Sequence, residues 1–378
     1  MKKNIVVLGA GMVGKAIAID LCKDYAVTSV DLSPKNLDEL KKHYPIHTIA
    51  ADLSVAGKLK QVIEPADLVI GAVPGYLGYE ALKTAIQCGK NVADISFFNE
   101  DPFSLDELAR KKKVTVAVDC GVAPGMDNII LGYYDANMKV EKFLCYVGGL
   151  PRTRTMPFQY KAPFSPIDVL EEYTRPARYV VNGKTITMPA LSEPELLEFD
   201  DIGTLEAFNT DGLRTLVHTM KHIPDMKEKT LRYPGHIELM GVLREMGYFS
   251  KEDMVIKGKK IRPIDVTAQL LFPKWKYGPD EEEFTVMRVI VEGIDKGIRK
   301  KYTYNLFDRY EHSTKTASMS RTTGYTCTAI ARLIIEGKYK NYGINPPEYF
   351  GRNAQSFGEI LKYLKTKQVY YNLKEETL

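Results

Sequence analysis

The chain has 378 residues, room for two domains of ordinary size. Its 52 Lys and Arg against 48 Asp and Glu leave a net charge of +4, which excludes a nucleic-acid-binding stripe announced by bulk charge. A hydrophobic share of 44% and a charged share of 26% exclude a disordered or fibrous chain, and no apolar run reaches the roughly 18 residues of a membrane span.

Apolar runs suited to buried parallel strands fall at 4–8, 26–30, 46–51, 68–73, 91–95 and 114–118. Helical spacing separates them, at 12–23, 34–43, 55–63, 77–88 and 104–113. This strict alternation implies an α/β fold with a Rossmann-type doubly wound parallel sheet, because parallel neighbours need long right-handed crossovers. The strand order expected is 3-2-1-4-5-6. Past residue 126 the rhythm changes. A strand is expected at 140–148, a hairpin at 178–188 around Asn182-Gly183, and a longer hairpin at 284–309 that turns between Gly293 and Gly297. Together they imply a second α+β domain with a mixed or antiparallel sheet. Tyr302, Tyr304 and Phe307 suggest an apolar face there, suited to a homodimer contact. A helix at 322–336 is expected to return to the first domain, and 360–378 to form a surface helix with a frayed tail. The expected division is a nucleotide-binding domain, 1–125 completed by 320–378, and a substrate-binding and dimerisation domain, 126–319.

Gly9-Ala10-Gly11-Met12-Val13-Gly14 directly follows the first strand and opens the first helix, the context of a dinucleotide-binding turn. Gly9 permits the tight turn, Gly11 lets a pyrophosphate touch backbone, and Gly14 lets the helix approach the sheet. The helix start, at Met12 and Val13, offers N–H groups to phosphate. Asp31 ends the second strand, where a carboxylate accepts from both ribose hydroxyls and repels a 2′-phosphate, so NAD is the expected cofactor. Asp52, after the third strand, either faces adenine or caps a helix. Val73 and Pro74, after the fourth, should line the nicotinamide side, with Tyr76 either bonding substrate or packing.

Strand six ends in Asp119-Cys120-Gly121-Val122-Ala123-Pro124-Gly125-Met126-Asp127-Asn128. With Tyr146-Val147-Gly148-Gly149-Leu150-Pro151, Thr210-Asp211-Gly212-Leu213-Arg214, Lys229-Thr230-Leu231-Arg232-Tyr233-Pro234-Gly235-His236 and Ser318-Met319-Ser320-Arg321-Thr322-Thr323-Gly324, the chain resembles the saccharopine dehydrogenase superfamily over nearly its full length. Within it the similarity is to the NAD-dependent L-lysine 6-dehydrogenases. The resemblance implies oxidation of the ε-amine of L-lysine, release of ammonia and closure of the semialdehyde to 1-piperideine-6-carboxylate. Saccharopine-cleaving members carry a second acid in the loop after strand six, where this sequence, like lysine 6-dehydrogenases, has Ala123. A saccharopine-type C–N-cleaving dehydrogenase, another amino-acid or polyamine dehydrogenase, and a non-catalytic NAD-binding sensor are the alternatives.

Amine oxidation sets requirements of its own. The amine must lose its proton before hydride can leave, so a base is needed, and Asp119 is the first candidate, either as base or as the charge that holds the ammonium. A substrate carboxylate wants an arginine, Arg214 or Arg232, and a second ammonium wants an acid, Asp211; interface salt bridges would explain the same residues. His236 stands at a helix start, either as a proton shuttle near pH 7 or as a structural histidine. No metal set is apparent. Five cysteines, odd in number and without a CxxC pair, indicate reduced thiols, and the start lacks a signal-peptide core, so a cytoplasmic protein acting on a small amino acid without nucleic acid or membrane is expected.

Overall fold

The computed structural model describes residues 2–200, 202–278 and 281–378. In its first part the apolar runs and amphipathic spacings become β1 (Asn4–Leu8), α1 (Met12–Leu21), β2 (Ala26–Asp31), α2 (Pro34–His43), β3 (Ile46–Ala50), α3 (Ala56–Ile63), β4 (Leu68–Gly71), α4 (Gly75–Gln87), β5 (Asn91–Asp94), α5 (Asp106–Lys112), β6 (Thr115–Ala117) and α6 (Met126–Asn137). There follow β7 (Lys139–Pro151), α7 (Pro166–Thr174), β8 (Ala177–Val181), β9 (Lys184–Met188), β10 (Glu195–Phe199), β11 (Gly203–Asn209), α8 (Leu216–Thr219), β12 (Asp225–Arg232) and α9 (His236–Glu245). The chain continues through β13 (Met254–Ile256), β14 (Lys259–Ile261), α10 (Pro263–Trp275), β15 (Glu283–Asp295) and β16 (Ile298–Arg309). It ends with α11 (Ser318–Ile335), β17 (Gly343–Asn345), α12 (Pro347–Arg352), α13 (Ala354–Thr366) and β18 (Tyr371–Thr377).

Two compact units result, one of residues 1–138 with 319–370, the other of 139–318 with 371–378. The first holds a parallel sheet ordered β17-β6-β5-β4-β1-β2-β3, the expected order extended by one strand after β6. Its strands β1, β4 and β6 are buried on both faces, as parallel strands covered by helices must be. Helix α11 belongs to this unit and lies close on α1: a Cβ on Gly324 would stand 3.3 Å from Ile17 Cγ1. Helix α13 is tied to α1 through Asp20, which accepts from the Tyr363 hydroxyl and from Lys367. Helix α6 falls in this unit rather than beyond the expected boundary at 125, and the reason is its crossing with α12. There a Cβ on Gly132 would come within 3.0 Å of the Glu348 backbone, and one on Gly351 within 3.0 Å of the backbone of Ile129.

The second unit is built on a mixed sheet in which β10-β11-β12-β7-β15-β16-β18 are successive neighbours and β8 and β9 attach at β12. Among the described residues of this unit only β12 and β7 pair in parallel. The turn at Asn182-Gly183 is as expected, with φ of 50° and 73°. The longer hairpin is tighter than expected: β15 runs to Asp295 and turns on Lys296-Gly297, while Gly293 marks a register shift against β7. Tyr302 and Tyr304 share their buried face with Leu306 instead of Phe307, because side chains alternate with a period of two and 307 falls on the other side. Residues 371–377 are also not a frayed tail. They pair along β16, whose outer edge would otherwise leave its N–H and C=O groups without ladder partners. No helix among the described residues is long and apolar enough to cross a membrane.

Because the α6–α12 crossing has no room for a methyl group against backbone, Gly132→Ala should destabilise the first unit by about 1–3 kcal/mol. A thermal or denaturant midpoint unchanged from the parent chain would show that the two helices can separate at no cost.

Candidate functional site

The carboxyl ends of β1, β2 and β4 meet at the glycine-rich turn. Gly9 has φ +101°, open to a glycine, and a Cβ there would fall within 3.0 Å of the Ala72 carbonyl. Gly14 is held just as closely, but against the Gly9 carbonyl rather than against a strand side chain, so α1 packs on the turn itself. A Cβ on Gly11 would meet no atom within 4 Å. Packing therefore does not demand glycine at 11, whereas a pyrophosphate lying on that backbone would. Gly11 caps α1, whose first residues Met12 and Val13 direct N–H groups and the positive dipole end toward the same space. The turn fits a dinucleotide.

Asp31 is part of this turn as well as a candidate for the ribose. Its Oδ2 accepts from Ala10 N at 2.6 Å and its Oδ1 from Ser33 N at 2.7 Å, so the carboxylate ties the glycine turn to the start of α2. Each carboxylate oxygen still has a second lone pair for a ribose hydroxyl. Asp52 is half-buried and accepts from Ser54 N and Oγ at 3.0 and 2.6 Å, bonds that hold its carboxyl below the usual range. It fixes the turn into α3. Val73 is buried, Pro74 caps α4, and Tyr76 stands 76% exposed in that helix's first turn.

At the next strand ends lie two buried acids. Asp119 follows β6 with φ +54°, a conformation disfavoured without glycine, and Gly121 N donates to its carbonyl at 2.9 Å. The loop after it is closed by Gly125, where any Cβ would strike the backbone of Gly121, and α6 begins with Gly125 N donating to Asp127 and Asn128. Asp94, at the end of β5, was not singled out by the sequence reading, although its place at a strand's carboxyl end was visible. Its carboxylate accepts from Ser96 N at 2.8 Å and fills the space a side chain on Gly71 would need. Cys120 is enclosed between them; burial pushes its thiol well above the ordinary value, with Cys327, Asp94 and Asp119 adding to the effect. It is a protonated packing residue.

The remaining candidates lie in the second unit. Arg232 is almost wholly buried and donates to Glu172, to Tyr173 Oη (3.2 Å), to Tyr160 Oη (3.3 Å) and to the Leu231 carbonyl (2.9 Å). Its guanidinium also stacks 4.3 Å from the Tyr160 ring centroid. Burial alone would pull the Arg232 value down, but Tyr160, Tyr173 and Glu172 outweigh it and hold the group charged. Donors committed in this way leave Arg232 an internal ion pair rather than a receiver of substrate carboxylate. Asp211 is likewise engaged, by a bidentate Arg178 at 2.7 and 2.9 Å. Arg214, buried with φ +48°, belongs to the same neighbourhood: its charge adds to burial in lowering the Arg175 value.

His236 is not a shuttle near pH 7. The Phe158 carbonyl can only accept, so Nδ1 carries the proton of that 2.8 Å bond, and Nε2 accepts from the Tyr173 hydroxyl at 2.9 Å. Burial, and then the Arg232 charge, lower its value to about 3. The described residues contain no cluster of three or more His, Cys, Asp or Glu suited to a metal.

Residues 5–117 match the saccharopine dehydrogenase NADP binding domain, and residues 121–369 match the saccharopine dehydrogenase C-terminal domain. The chain belongs to the saccharopine dehydrogenase family. Its first unit thus contains the family's pyridine-nucleotide-binding domain, as the glycine turn requires. Saccharopine dehydrogenase [NADP(+), L-glutamate-forming] of Saccharomyces cerevisiae is 25% identical and is matched over 100% of both chains. Alpha-aminoadipic semialdehyde synthase, mitochondrial, of Rattus norvegicus is 22% identical over 98% of this chain and 48% of that protein, so the chain spans about half the length of such relatives. In fold it is similar to apo saccharopine dehydrogenase (L-Glu forming) of Saccharomyces cerevisiae, with a TM-score of 0.77, 23% identity and full coverage of both chains. Homospermidine synthase of Legionella pneumophila in complex with NAD has a TM-score of 0.68 and 13% identity over 100% of this chain and 92% of that one.

A buried neutral histidine takes up a proton only on unfolding. With values of about 3 folded and about 6.5 unfolded, its contribution is complete above the unfolded value and is lost as pH falls from there toward the folded one. Between pH 7 and pH 5 it should cost about 2 kcal/mol. Urea unfolding followed by Trp275, the single tryptophan and a neighbour of Tyr160 in this core, should show that loss in the parent chain and not in His236→Asn. Equal pH slopes in the two would mean that the histidine is already charged when folded.

Proposed function

We propose that this chain oxidises the carbon–nitrogen bond of a small amino acid, using a pyridine nucleotide as hydride acceptor. The observation that carries the reading is Asp119: a buried carboxylate in a strained backbone conformation at a strand's carboxyl end of the nucleotide-binding sheet. Strain of this kind persists only where its surroundings enforce it, and it gathers at functional sites.

When bound, the nicotinamide supplies the acceptor for hydride. The protein's part is to hold the amine beside that acceptor and to remove a proton from the nitrogen, so that its lone pair can form the C=N bond as hydride departs. Asp119 accepts that proton. Water then adds to the carbon of the C=N bond, and the C–N bond breaks to give an aldehyde and an amine. In sum, amine, oxidised nucleotide and water give aldehyde, the released amine, reduced nucleotide and a proton. Saccharopine and L-lysine enter this scheme at the same carbon, the lysine C6, and yield the same semialdehyde. They differ in the released amine, glutamate from one and ammonia from the other.

Saccharopine-type cleavage is supported by the names of the relatives. The L-lysine reading is favoured by Ala123, which puts no second acid in the Asp119 loop. NAD is favoured by Asp31, whose carboxylate would repel a 2′-phosphate; the matched domain description names NADP. Arg232, with its donors engaged inside its own unit, is not assigned to the substrate's own carboxylate.

Incubation with L-lysine, saccharopine, ornithine and a polyamine, each with NAD and with NADP, should reduce the nucleotide with at least one substrate. Ammonia in the product selects L-lysine and glutamate selects saccharopine. Tight nucleotide binding without turnover of any substrate would overturn the catalytic reading in favour of a sensor. Asp119→Asn should lower kcat by about 100-fold or more while nucleotide affinity changes little, and near-normal turnover would remove Asp119 as the base. Asp31→Ser should weaken both nucleotides through the lost Ala10 bond and reduce the preference for NAD over NADP. An unaltered ratio of the two affinities would remove Asp31 from ribose recognition.

A further inference from the structure

The second unit carries a hairpin whose outer part is exposed. Strands β13 and β14 pair only with each other among the described residues, across a two-residue turn at Lys257-Gly258 with φ of 48° and 76°. Its base is pinned where Ile264 N donates to the Ser250 carbonyl at 3.1 Å and Thr267 Oγ1 to the Tyr248 carbonyl at 2.7 Å. Beyond that pin every residue from Lys251 to Lys260 is exposed. A two-stranded ribbon without a packed face is marginal in water. Yet one face of this one is apolar: Met254 and Ile256 lie on it together, with Ile261 paired across from Met254, while Val255 points to the other face.

A second unpartnered stripe lies just before it. Helix α9 buries His236, Ile237 and Met240 and turns Leu239, Val242 and Met246 outward, an i, i+3, i+7 series. These three and the hairpin's Met254 and Ile256 are between 38% and 68% exposed. Charge complements shape: Lys257 and Lys259 stand at the hairpin tip, while Glu238 and Glu245 border Val242 on the helix. The five apolar side chains on these two faces present on the order of 500 Å² per copy, so mutual burial removes on the order of 1,000 Å², the area at which an interface becomes specific.

We propose that Met254–Ile261 is a dimerisation arm that seats on the outer face of α9 in a second copy of this chain, whose own arm seats on the first. A two-fold axis makes the contact self-complementary, each copy giving an arm and receiving one. This places the contact away from the β16 face suggested by the sequence, and it does not rest on the reaction.

Charge reversal tests it. In sedimentation velocity at micromolar concentration the parent chain should be dimeric. The arm variant Lys257→Glu/Lys259→Glu and the helix variant Glu238→Lys/Glu245→Lys should each dissociate at least about tenfold more readily, with unchanged circular dichroism and thermal midpoint, because like charges then face each other. Mixed in equal amounts, the two variants should form a dimer of near-parental stability, since both contacts in the mixed pair are complementary. A monomeric parent chain overturns the proposal. So does a dimer that neither variant weakens, or a mixture no more associated than its components.

Discussion

The first unit is organised around a place with no room for a side chain. Gly9 and the Ala72 carbonyl approach so closely that the turn after β1 and the loop after β4 form one surface, and Gly14 brings α1 down on the same point. Asp31 then bonds to Ala10 and Ser33 and adds the end of β2. Three strand ends, two helix starts and the open backbone at Gly11 are thereby fixed together. A methyl group forced into such a contact costs about 1–3 kcal/mol, a sizeable part of the roughly 5–15 kcal/mol by which a domain is stable. Glycine there is a requirement of folding as much as of ligand binding.

That double duty explains why the nucleotide-binding unit was legible in the sequence. Its strands are continuous apolar runs, its helices have clear periodicity, and its turn residues sit where backbone geometry admits little else. Elements that depend on distant partners were less visible. Strand β17 is three residues long and is defined by its ladder to β6, and β18 has a polar sequence and exists because β16 offers an edge. The place of α6 follows from two glycines on facing helices, Gly132 against the Glu348 backbone and Gly351 against that of Ile129. No local pattern announces that meeting. The hairpin of β13 and β14 escaped because its strands are only three residues each, too short for alternation to show.

In the second unit the sequence left two uses of the same residues open. Arg232 and His236 have the chemistry of functional groups and stand in a Pro- and Gly-rich segment, yet they form a polar core with Tyr160, Glu172 and Tyr173. The direction of each hydrogen bond is forced. Arginine can only donate, so Tyr173 accepts from it and donates onward to Nε2, and the remaining proton on Nδ1 goes to the Phe158 carbonyl. Removing one partner from such a buried set leaves a charge or dipole without compensation, at a cost of about 3–5 kcal/mol for an ion pair. Residue type alone cannot separate this use of an arginine and a histidine from a catalytic one. Burial decides it.

The same reasoning bears on the two versions of the proposed reaction. Saccharopine and lysine present the same carbon for oxidation, so the residues that remove the proton need not differ between them. What differs is the substituent on nitrogen. A glutaryl arm brings two carboxylates that must be neutralised, and bringing them near the buried Asp119 and Asp94 would add like charge in a region of low dielectric. Ammonia as the released amine makes no such demand. An alanine at 123 adds no further acid to the two carboxylates, Asp119 and Asp94, at this end of the sheet. Acceptance of saccharopine would require cations to offset the additional carboxylates.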